Sequence, residues 1–426
     1  MLFIKNGTLI DPESGRLYLA DLEISEGKIN KICEKKAFCQ EATPGDEVID
    51  AKGLMIAPGL ADTHVHFRDP GFTYKEDILS GGEAAKKGGF TQIVLMANTK
   101  PPVDNPEILA YVLEKGKKTG IHIHSCVNVT EKMAGKKLTD MELLAREGAA
   151  GFTDDGIPIL EEALVREAME RAKKLGKPVS FHEEDPSLIT NNGIHAGKAA
   201  QYYGIGGSPR EAEISLIRRD TALALETGAE VVIQHISTRE GVELVRQAKA
   251  RGAHIHAEAT PHHFTLTQEA AIQKGTLAKM NPPLREEADR MAIIRGLADG
   301  TIDMIATDHA PHSGEEKEKP ITEAPSGIIG LETSLSLGIR ELVNKGYLTL
   351  PQLIERMSTA PCRLYGLAGG TLCEGAPADL VLFALDEQWT VREFASKSSN
   401  SPFIGEKLPG VIYYTICGGN VVYCKG

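Results

Sequence analysis

The chain has 426 residues, a formal net charge of −12 and a charged fraction of 25%, so it is long enough to bury a large core in one or two domains. The acidic balance excludes a general nucleic-acid surface, because binding phosphates requires concentrated Lys and Arg. No apolar run approaches the roughly 20 residues that cross a bilayer, and the N-terminal residues show no secretory signal, so we expect a cytoplasmic protein without membrane contact.

Both ends of the chain contain short strand-like runs. The N-terminal runs are "LFIKNGTLI" and "DLEISEGKI", and the C-terminal runs are "ADLVLFAL" and "VIYYTICGGNVVY". Gly, Pro and Asp turns separate them. Because chain ends commonly lie close together at the surface, we predict that residues 1–55 and 361–426 fold together as one small β domain.

Between these flanks, short apolar runs rich in β-branched residues alternate with segments that have helical patterning. The runs are "GLADTHVHF", "FTQIVLMAN", "IHIHSCVNV", "GAAGFTDD", "KPVSFHEED", "AEVVIQHIS", "AHIHAEAT" and "IDMIATDHA". Eight parallel strands with intervening helices close a (β/α)8 barrel. The sequence therefore predicts an α/β protein with such a barrel over residues 56–360.

Helix signals occur between the predicted strands, where a barrel needs them. "PILEEALVREAMERAKKLG" and "TREGVELVRQAKARG" are good helix sequences. In the second, Thr238 is suited to cap the N-terminus, and Gly252 is suited to end the helix.

Polar side chains gather where the predicted strands end. They are His64 and His66 on strand one, Asp154 and Asp155 on strand four, His182 on strand five, His235 on strand six and Asp308 on strand eight. The C-terminal ends of barrel strands meet at one mouth, and imidazole and carboxylate groups are ligands for zinc and similar ions. Although a single His-X-His pair is weak evidence, the whole set predicts a metal site at the mouth.

Two further His-X-His pairs occur, at 122–124 and 254–256. Each pair follows a helix-like segment and begins a strand, so we expect it to face the bottom of the barrel. We interpret the first pair as ordinary hydrogen-bonded side chains. The strand that contains the second pair leads at its mouth end to Glu258, His262 and His263, which we expect to lie behind the metal ligands.

Several longer motifs extend this pattern over the whole chain. They are "DTHVHFRDPG", "MANTKPPVDN", "GFTDDG", "FHEED", "QHIS", "KMNPPLR", "ATDHAPH" and "SGIIGLE". In their order and approximate spacing, they resemble the motifs of the amidohydrolase superfamily. Within it, the chain is most similar to the dihydroorotases of the longer bacterial type, known as class I.

The resemblance implies a zinc site with room for one or two ions, lined by His64, His66, Asp155, His182, His235 and Asp308. Asp155 is preferred to Asp154 because it matches the second Asp of the family's "DDG". Much of the wider superfamily has a carboxylated lysine at the end of strand four, whereas this chain has "GFTDDG" there. The number of bound ions therefore stays open.

The resemblance also implies a reaction. A water bound to such a metal has its pKa lowered from about 15.7 towards roughly 7, and the resulting hydroxide can attack an amide carbonyl. Asp308 would carry the proton to the leaving nitrogen. The implied activity is the reversible, zinc-dependent cyclisation of N-carbamoyl-L-aspartate to (S)-dihydroorotate in de novo pyrimidine (UMP) biosynthesis.

This small-molecule substrate carries a carboxylate that does not react, and a guanidinium can hold it through two charge-assisted hydrogen bonds. Arg68, beside the ligand pair, is placed for that task. By resemblance, further substrate contacts come from His66, Asn98, Asn281, His312, Ser326 and Gly327. Related enzymes tend to carry an aromatic residue before this glycine, whereas the chain has "APSGIIG".

Two other functions are alternatives to this activity. An allantoinase or hydantoinase would share the barrel and the metals, but its rings lack the carboxylate that Arg68 would bind. A non-catalytic scaffold for aspartate transcarbamoylase would lack metal ligands, and none is missing here. We expect a homo-oligomer, and we leave open an association with aspartate transcarbamoylase.

Overall fold

All eight predicted barrel strands are present in the structure. A computed structural model describes residues 1–34 and 42–426. Its strands are β1 Leu2–Asp11, β2 Arg16–Ser25, β3 Lys28–Glu34, β4 Glu47–Asp50, β5 Met55–Pro58, β6 Leu60–Val65, β7 Phe90–Leu95, β8 His122–Ser125, β9 Phe152–Thr153, β10 Val179–Phe181, β11 Val231–Ile233, β12 Ile255–Ala259, β13 Met304–Ile305, β14 Leu380–Thr390, β15 Lys407–Cys417 and β16 Asn420–Cys424. The predicted runs contain β6 to β13 in order.

The strands β6 to β13 form a closed parallel barrel. They pair in two runs, β6 to β8 and β9 to β13. Parallel bridges from Val127 to Phe152 and from Val65 to His309 join the runs to each other. Every residue of β6 and β7 is buried, as expected of parallel strands that are covered on both faces. The prediction of a (β/α)8 barrel is confirmed.

Helices cover the outside of the barrel and its loops. They are α1 Ile78–Lys87, α2 Pro106–Gly116, α3 Met141–Arg146, α4 Glu162–Leu175, α5 Lys198–Tyr203, α6 Arg210–Thr227, α7 Arg239–Ala250, α8 Pro261–Thr265, α9 Gln268–Lys274, α10 Glu287–Asp299, α11 Gly314–Lys317, α12 Ser334–Gly338, α13 Leu350–Ile354 and α14 Ala360–Tyr365, with π-helical turns at Ile339–Val343 and Glu355–Thr359 and 3₁₀ turns at Glu131–Met133, Pro186–Leu188 and Gly275–Ala278. Thr238 accepts a hydrogen bond from the backbone N–H of Gly241, so the predicted N-cap is confirmed. Within the described ranges, none of these helices has the length and apolar character needed to span a membrane.

The remaining strands form one sheet that draws on both chain ends. Its order is β16-β15-β14-β5-β1-β2-β3, with β4 paired to β1. The ends meet where β14 pairs antiparallel with β5, Leu382 lying opposite Ile56. Apolar side chains from both ends, such as Leu9 and Leu380, form a separate buried cluster. This confirms a β domain built from both ends, while its predicted limits stay a prediction.

Candidate active site

The six predicted ligands lie at or just beyond the C-terminal ends of five barrel strands. His64 is on β6 and His66 follows it, Asp155 follows β9, His182 follows β10, His235 follows β11 and Asp308 follows β13. A parallel barrel directs these strand ends to one mouth. Side chains that are up to 244 positions apart in the chain are thereby brought together, from His64 to Asp308.

Asp155 lies at the centre of the group. Its Oδ1 atom is 3.4 Å from Nε2 of His64, 3.7 Å from Nε2 of His235 and 3.8 Å from Nδ1 of His182. Its Oδ2 atom is 3.4 Å from Nε2 of His66. One carboxylate therefore faces all four histidines.

Asp154 points elsewhere. Its carboxylate accepts hydrogen bonds from the backbone N–H of Thr130, at 3.2 Å, and from Nδ2 of Asn128, at 3.3 Å. The sequence pattern alone left the two aspartates equivalent. Because the Asp154 carboxylate already accepts hydrogen bonds from a buried loop, the geometry favours Asp155 as the metal ligand.

Asp308 contacts two of the same histidines. Its Oδ1 atom lies 3.1 Å from Nε2 of His66 and 3.6 Å from Nε2 of His64. Burial would raise the pKa of Asp308, but the hydrogen bond to His66 and the nearby imidazoles lower it below its usual range. Burial would also raise the pKa of Asp155, but the charges of His64 and His66 and the hydrogen bonds with His64 and His235 together lower it well below its usual range. Both carboxylates are ionised at neutral pH.

The group fits a metal ion. Nε2 of His64 and Oδ1 of Asp155 are buried without a hydrogen-bond partner, although unpaired buried polar atoms are costly. Two triads of ligand atoms, each within 4.8 Å, share His64: one adds His66 and Asp308, and the other adds Asp155 and His235. A cation would satisfy the free lone pairs, and the two triads provide for one or two ions.

Hydrogen-bond partners hold the ligand side chains from behind. The buried carboxylate of Glu258 contacts Nδ1 of His64, at 3.0 Å, and accepts a hydrogen bond from Thr63. Oδ1 of Asn98 contacts Nδ1 of His66, at 2.9 Å. Such partners fix the orientation and tautomer of a ligand imidazole. The expected position of Glu258 behind the ligands agrees with this contact.

Other residues near the metal ligands make different contacts. His263 contacts the carbonyl oxygen of Pro282 through Nε2, at 3.0 Å, rather than a metal ligand. Glu184, which sequence reasoning did not single out, lies 3.4 Å from Nε2 of His182 and accepts a hydrogen bond from Ser208. Its place in "FHEED", directly after a strand end, was the signal that could have found it.

The mouth contains a cavity of about 260 Å³. It is lined by His66, Arg68, Asn98, Asp155, Gly156, His182, Asn192, His235, Asn281, Asp308, Ala310, His312, Ser326 and Gly327. Of the predicted site residues, His64 alone is not in the lining, because it is fully buried behind it. Gly156, Asn192 and Ala310 line the cavity without having been predicted.

Arg68 reaches into this cavity from the segment after β6. Its Nε donates to the carbonyl oxygen of Pro311, at 3.3 Å, which anchors one side of the guanidinium. Its backbone has φ +58°, and Asp308 and His235 have φ +48° and +33°. Non-glycine residues rarely adopt these values, and such strain clusters at functional sites. The fold thus holds three mouth residues in conformations they would not adopt by themselves.

A turn at Ser326 and Gly327 forms another wall of the cavity. Nε2 of His312 lies 2.8 Å from the Ser326 carbonyl oxygen. The buried ammonium of Lys317 donates to the carbonyl oxygens of Pro325 and Gly327, at 2.9 and 3.1 Å. Burial lowers the pKa of Lys317 to about 7. Sequence reasoning missed this lysine, because nothing in its neighbourhood indicates that it folds under the turn.

Both other His-X-His pairs lie at the floor of the barrel, as predicted. Nε2 of His256 is 2.8 Å from Glu230 and its Nδ1 is 3.2 Å from Asp303. Burial lowers the pKa of His256, but these two carboxylates raise it overall to about 9. His122 lies 3.2 Å from Asp379.

Comparison with known proteins agrees with this geometry. The amidohydrolase family model matches residues 55–422. A dihydroorotase of Clostridioides difficile is 54% identical over 99% of this chain and 100% of that protein, and a dihydroorotase of Lactococcus lactis is 48% identical over 99% of each chain. These similarities extend over the barrel and both flanks.

Solved structures share the same architecture. An L-hydantoinase (dihydropyrimidinase) from Arthrobacter aurescens superposes with a TM-score of 0.87 at 28% identity, covering 100% of this chain and 96% of that one. A D-hydantoinase (dihydropyrimidinase) from a Thermus species gives 0.84 at 27% identity, covering 100% and 97%. The chain therefore belongs to the amidohydrolase family, and within that family to the dihydroorotases.

Proposed function

We propose that this chain is a zinc-dependent enzyme that interconverts N-carbamoyl-L-aspartate and (S)-dihydroorotate. The observation that carries the proposal is that Arg68 and the metal-ligand group face the same cavity of about 260 Å³. One wall offers a guanidinium for an unreactive carboxylate, and the other offers ligands for a catalytic ion. A cyclic amide with an attached carboxylate matches both walls at once.

The six mouth ligands would hold one or two ions. We propose zinc, since four imidazoles and two carboxylates suit it better than they suit magnesium or calcium. When bound, such an ion acidifies a water molecule and polarises the amide carbonyl. Glu258 and Asn98 would keep the His64 and His66 imidazoles aimed at it.

The chain's own residues then orient the substrate and move the proton. Arg68 holds the carboxylate, and the turn at Ser326 and Gly327 limits the space for the ring. Ionised Asp308 accepts a proton from the attacking water and gives it to the ring nitrogen as the amide bond breaks. Ring closure uses the same residues in reverse and would supply pyrimidine biosynthesis.

A ring-opening assay tests the proposal by comparing dihydroorotate, hydantoin and allantoin as substrates of the zinc-loaded enzyme. We expect dihydroorotate to be strongly preferred. Asp308→Asn keeps the shape of the side chain but removes the base, so kcat should fall by roughly 100- to 10,000-fold. His254→Gln, at the exposed barrel floor, is the matched control and should be fully active. Preference for hydantoin or normal turnover by Asp308→Asn would contradict the proposal.

A further inference from the structure

A second group of metal-ligand side chains lies at the end of the barrel opposite the mouth. His122 begins β8, Asp379 directly precedes β14, and Cys417 ends β15. Nε2 of His122 is 3.2 Å from Oδ2 of Asp379. One ligand atom from each of the three side chains lies within 4.8 Å of the others. In a tetrahedral zinc site, bonds of about 2.0–2.3 Å place ligand atoms roughly 3.3–3.8 Å apart, so only a small closure is needed.

We propose that His122, Asp379 and Cys417 form a second, non-catalytic metal site that takes a divalent ion of the zinc type. The mixture of thiol, imidazole and carboxylate matches zinc-like ions and not magnesium or calcium, which prefer oxygen ligands alone. His122 belongs to the barrel, whereas Asp379 and Cys417 flank strands of the β domain. A bound ion would therefore tie the β domain to the barrel floor.

The carboxylate of this site is already held in place by its neighbours. Asp379 is buried, and its Oδ1 accepts a hydrogen bond of 2.7 Å from the backbone N–H of Gly418. Its Oδ2 accepts one of 3.1 Å from Nε2 of Gln92, whose Oε1 is 2.9 Å from Nε2 of His124. Outer partners of this kind orient metal ligands. The first histidine of the pair would bind the ion, and the second would anchor the glutamine behind it.

An ion pair between His122 and Asp379 alone would not require a thiol. Cys417 is also buried, at 5% exposure, and burial raises the pKa of its thiol. Because the thiol is protonated at neutral pH, a bound metal would have to displace its proton, as is general for cysteine ligands. The His122 side chain is 44% exposed, which leaves a route for the ion and room for a water as fourth ligand.

Cobalt(II) provides a direct test on the purified full-length enzyme, because a cobalt–thiolate bond gives a charge-transfer absorption in the near ultraviolet. No cysteine is among the described residues that line the mouth cavity, so cobalt there does not produce this band. We expect a saturable band that reaches its limit near one ion per site. Cys417→Ser should abolish it. Cys424→Ser, which removes an exposed thiol of the same sheet, should leave it unchanged.

A second variant keeps the thiol and removes the imidazole. His122→Gln changes a half-exposed side chain, so the fold should tolerate it. The substitution should raise the cobalt concentration needed for half-saturation at least tenfold, because even the loss of an outer hydrogen-bond partner lowers metal affinity about 10- to 100-fold. Absence of the band in the wild-type enzyme, its persistence in Cys417→Ser, or an unchanged titration of His122→Gln would each overturn the proposal.

Discussion

Replacing Arg68 by Met tests whether the cavity is built for a substrate with a carboxylate. Met fills similar space but offers no charge and no N–H donor. Nε of the guanidinium donates to the carbonyl oxygen of Pro311, and Nη2 lies 3.4 Å from Nε2 of His312, so a bound carboxylate would take the remaining N–H groups. Two hydrogen bonds to a charged group contribute about 1.5–3 kcal/mol each. At the lower end, the loss is about 3 kcal/mol, or roughly 100-fold in kcat/KM.

The assay compares ring opening of dihydroorotate with that of dihydrouracil, which has the same ring without the carboxylate. Arg68→Met should lower kcat/KM for dihydroorotate alone, because dihydrouracil never used the guanidinium. Arg68→Lys restores the charge without the planar fork and should recover part of the loss. An equal decrease in kcat/KM for both rings would show that the substitution damages the metal site. No decrease in kcat/KM would refute the proposal that Arg68 binds the substrate carboxylate.

Two further predictions concern buried partners of histidines. Glu258→Gln removes the negative charge behind His64, so zinc should bind about 10- to 100-fold more weakly. A zinc titration of the metal-depleted variant that gives the affinity of the wild-type enzyme would contradict this. The folded-state pKa of His256, about 9, lies above its ordinary value of 6.5, so its contribution to stability is complete below pH 6.5 and disappears as pH rises through 9. His256→Gln should therefore lower the free energy of unfolding by up to about 3 kcal/mol at pH 6 and by much less above pH 9. If denaturant unfolding shows the same difference between variant and wild type at both pH values, the raised pKa of His256 is disproved.

The barrel could be predicted from sequence because its strands are buried on both faces. Such strands are short continuous apolar runs, and β11, with the sequence VVI, consists wholly of residues of that kind. The grouping of side chains at the strand ends could also be predicted, because a parallel barrel places every C-terminal strand end at one mouth. His66, His182 and Asp308 could be assigned to a common site by this rule without any distance.

The partners of those residues were less predictable, because they depend on how loops pack. Lys317 is an exposed residue by type, yet it lies beneath the substrate turn at 5% exposure. The resemblance selected Asp155 over Asp154, but the physical reason lies in a loop, since Thr130 and Asn128 donate hydrogen bonds to the Asp154 carboxylate. Sequence periodicity carries no information about such contacts.

The His-X-His pairs show why position in the barrel matters more than the motif. At the floor, the single carboxylate of Glu230 contacts both His254 and His256, at 2.8 Å each, so both imidazoles have a partner. At the mouth, His64 has Glu258 on one nitrogen and no hydrogen-bond partner on the other. An imidazole with one nitrogen held by a partner and the other unpaired, as in His64, is prepared for a metal. His256, with a carboxylate on each nitrogen, contributes to stability instead. The same three-letter pattern therefore has different roles in the pairs 64–66 and 254–256, and the difference lies in which nitrogen atoms the surrounding fold leaves unpaired.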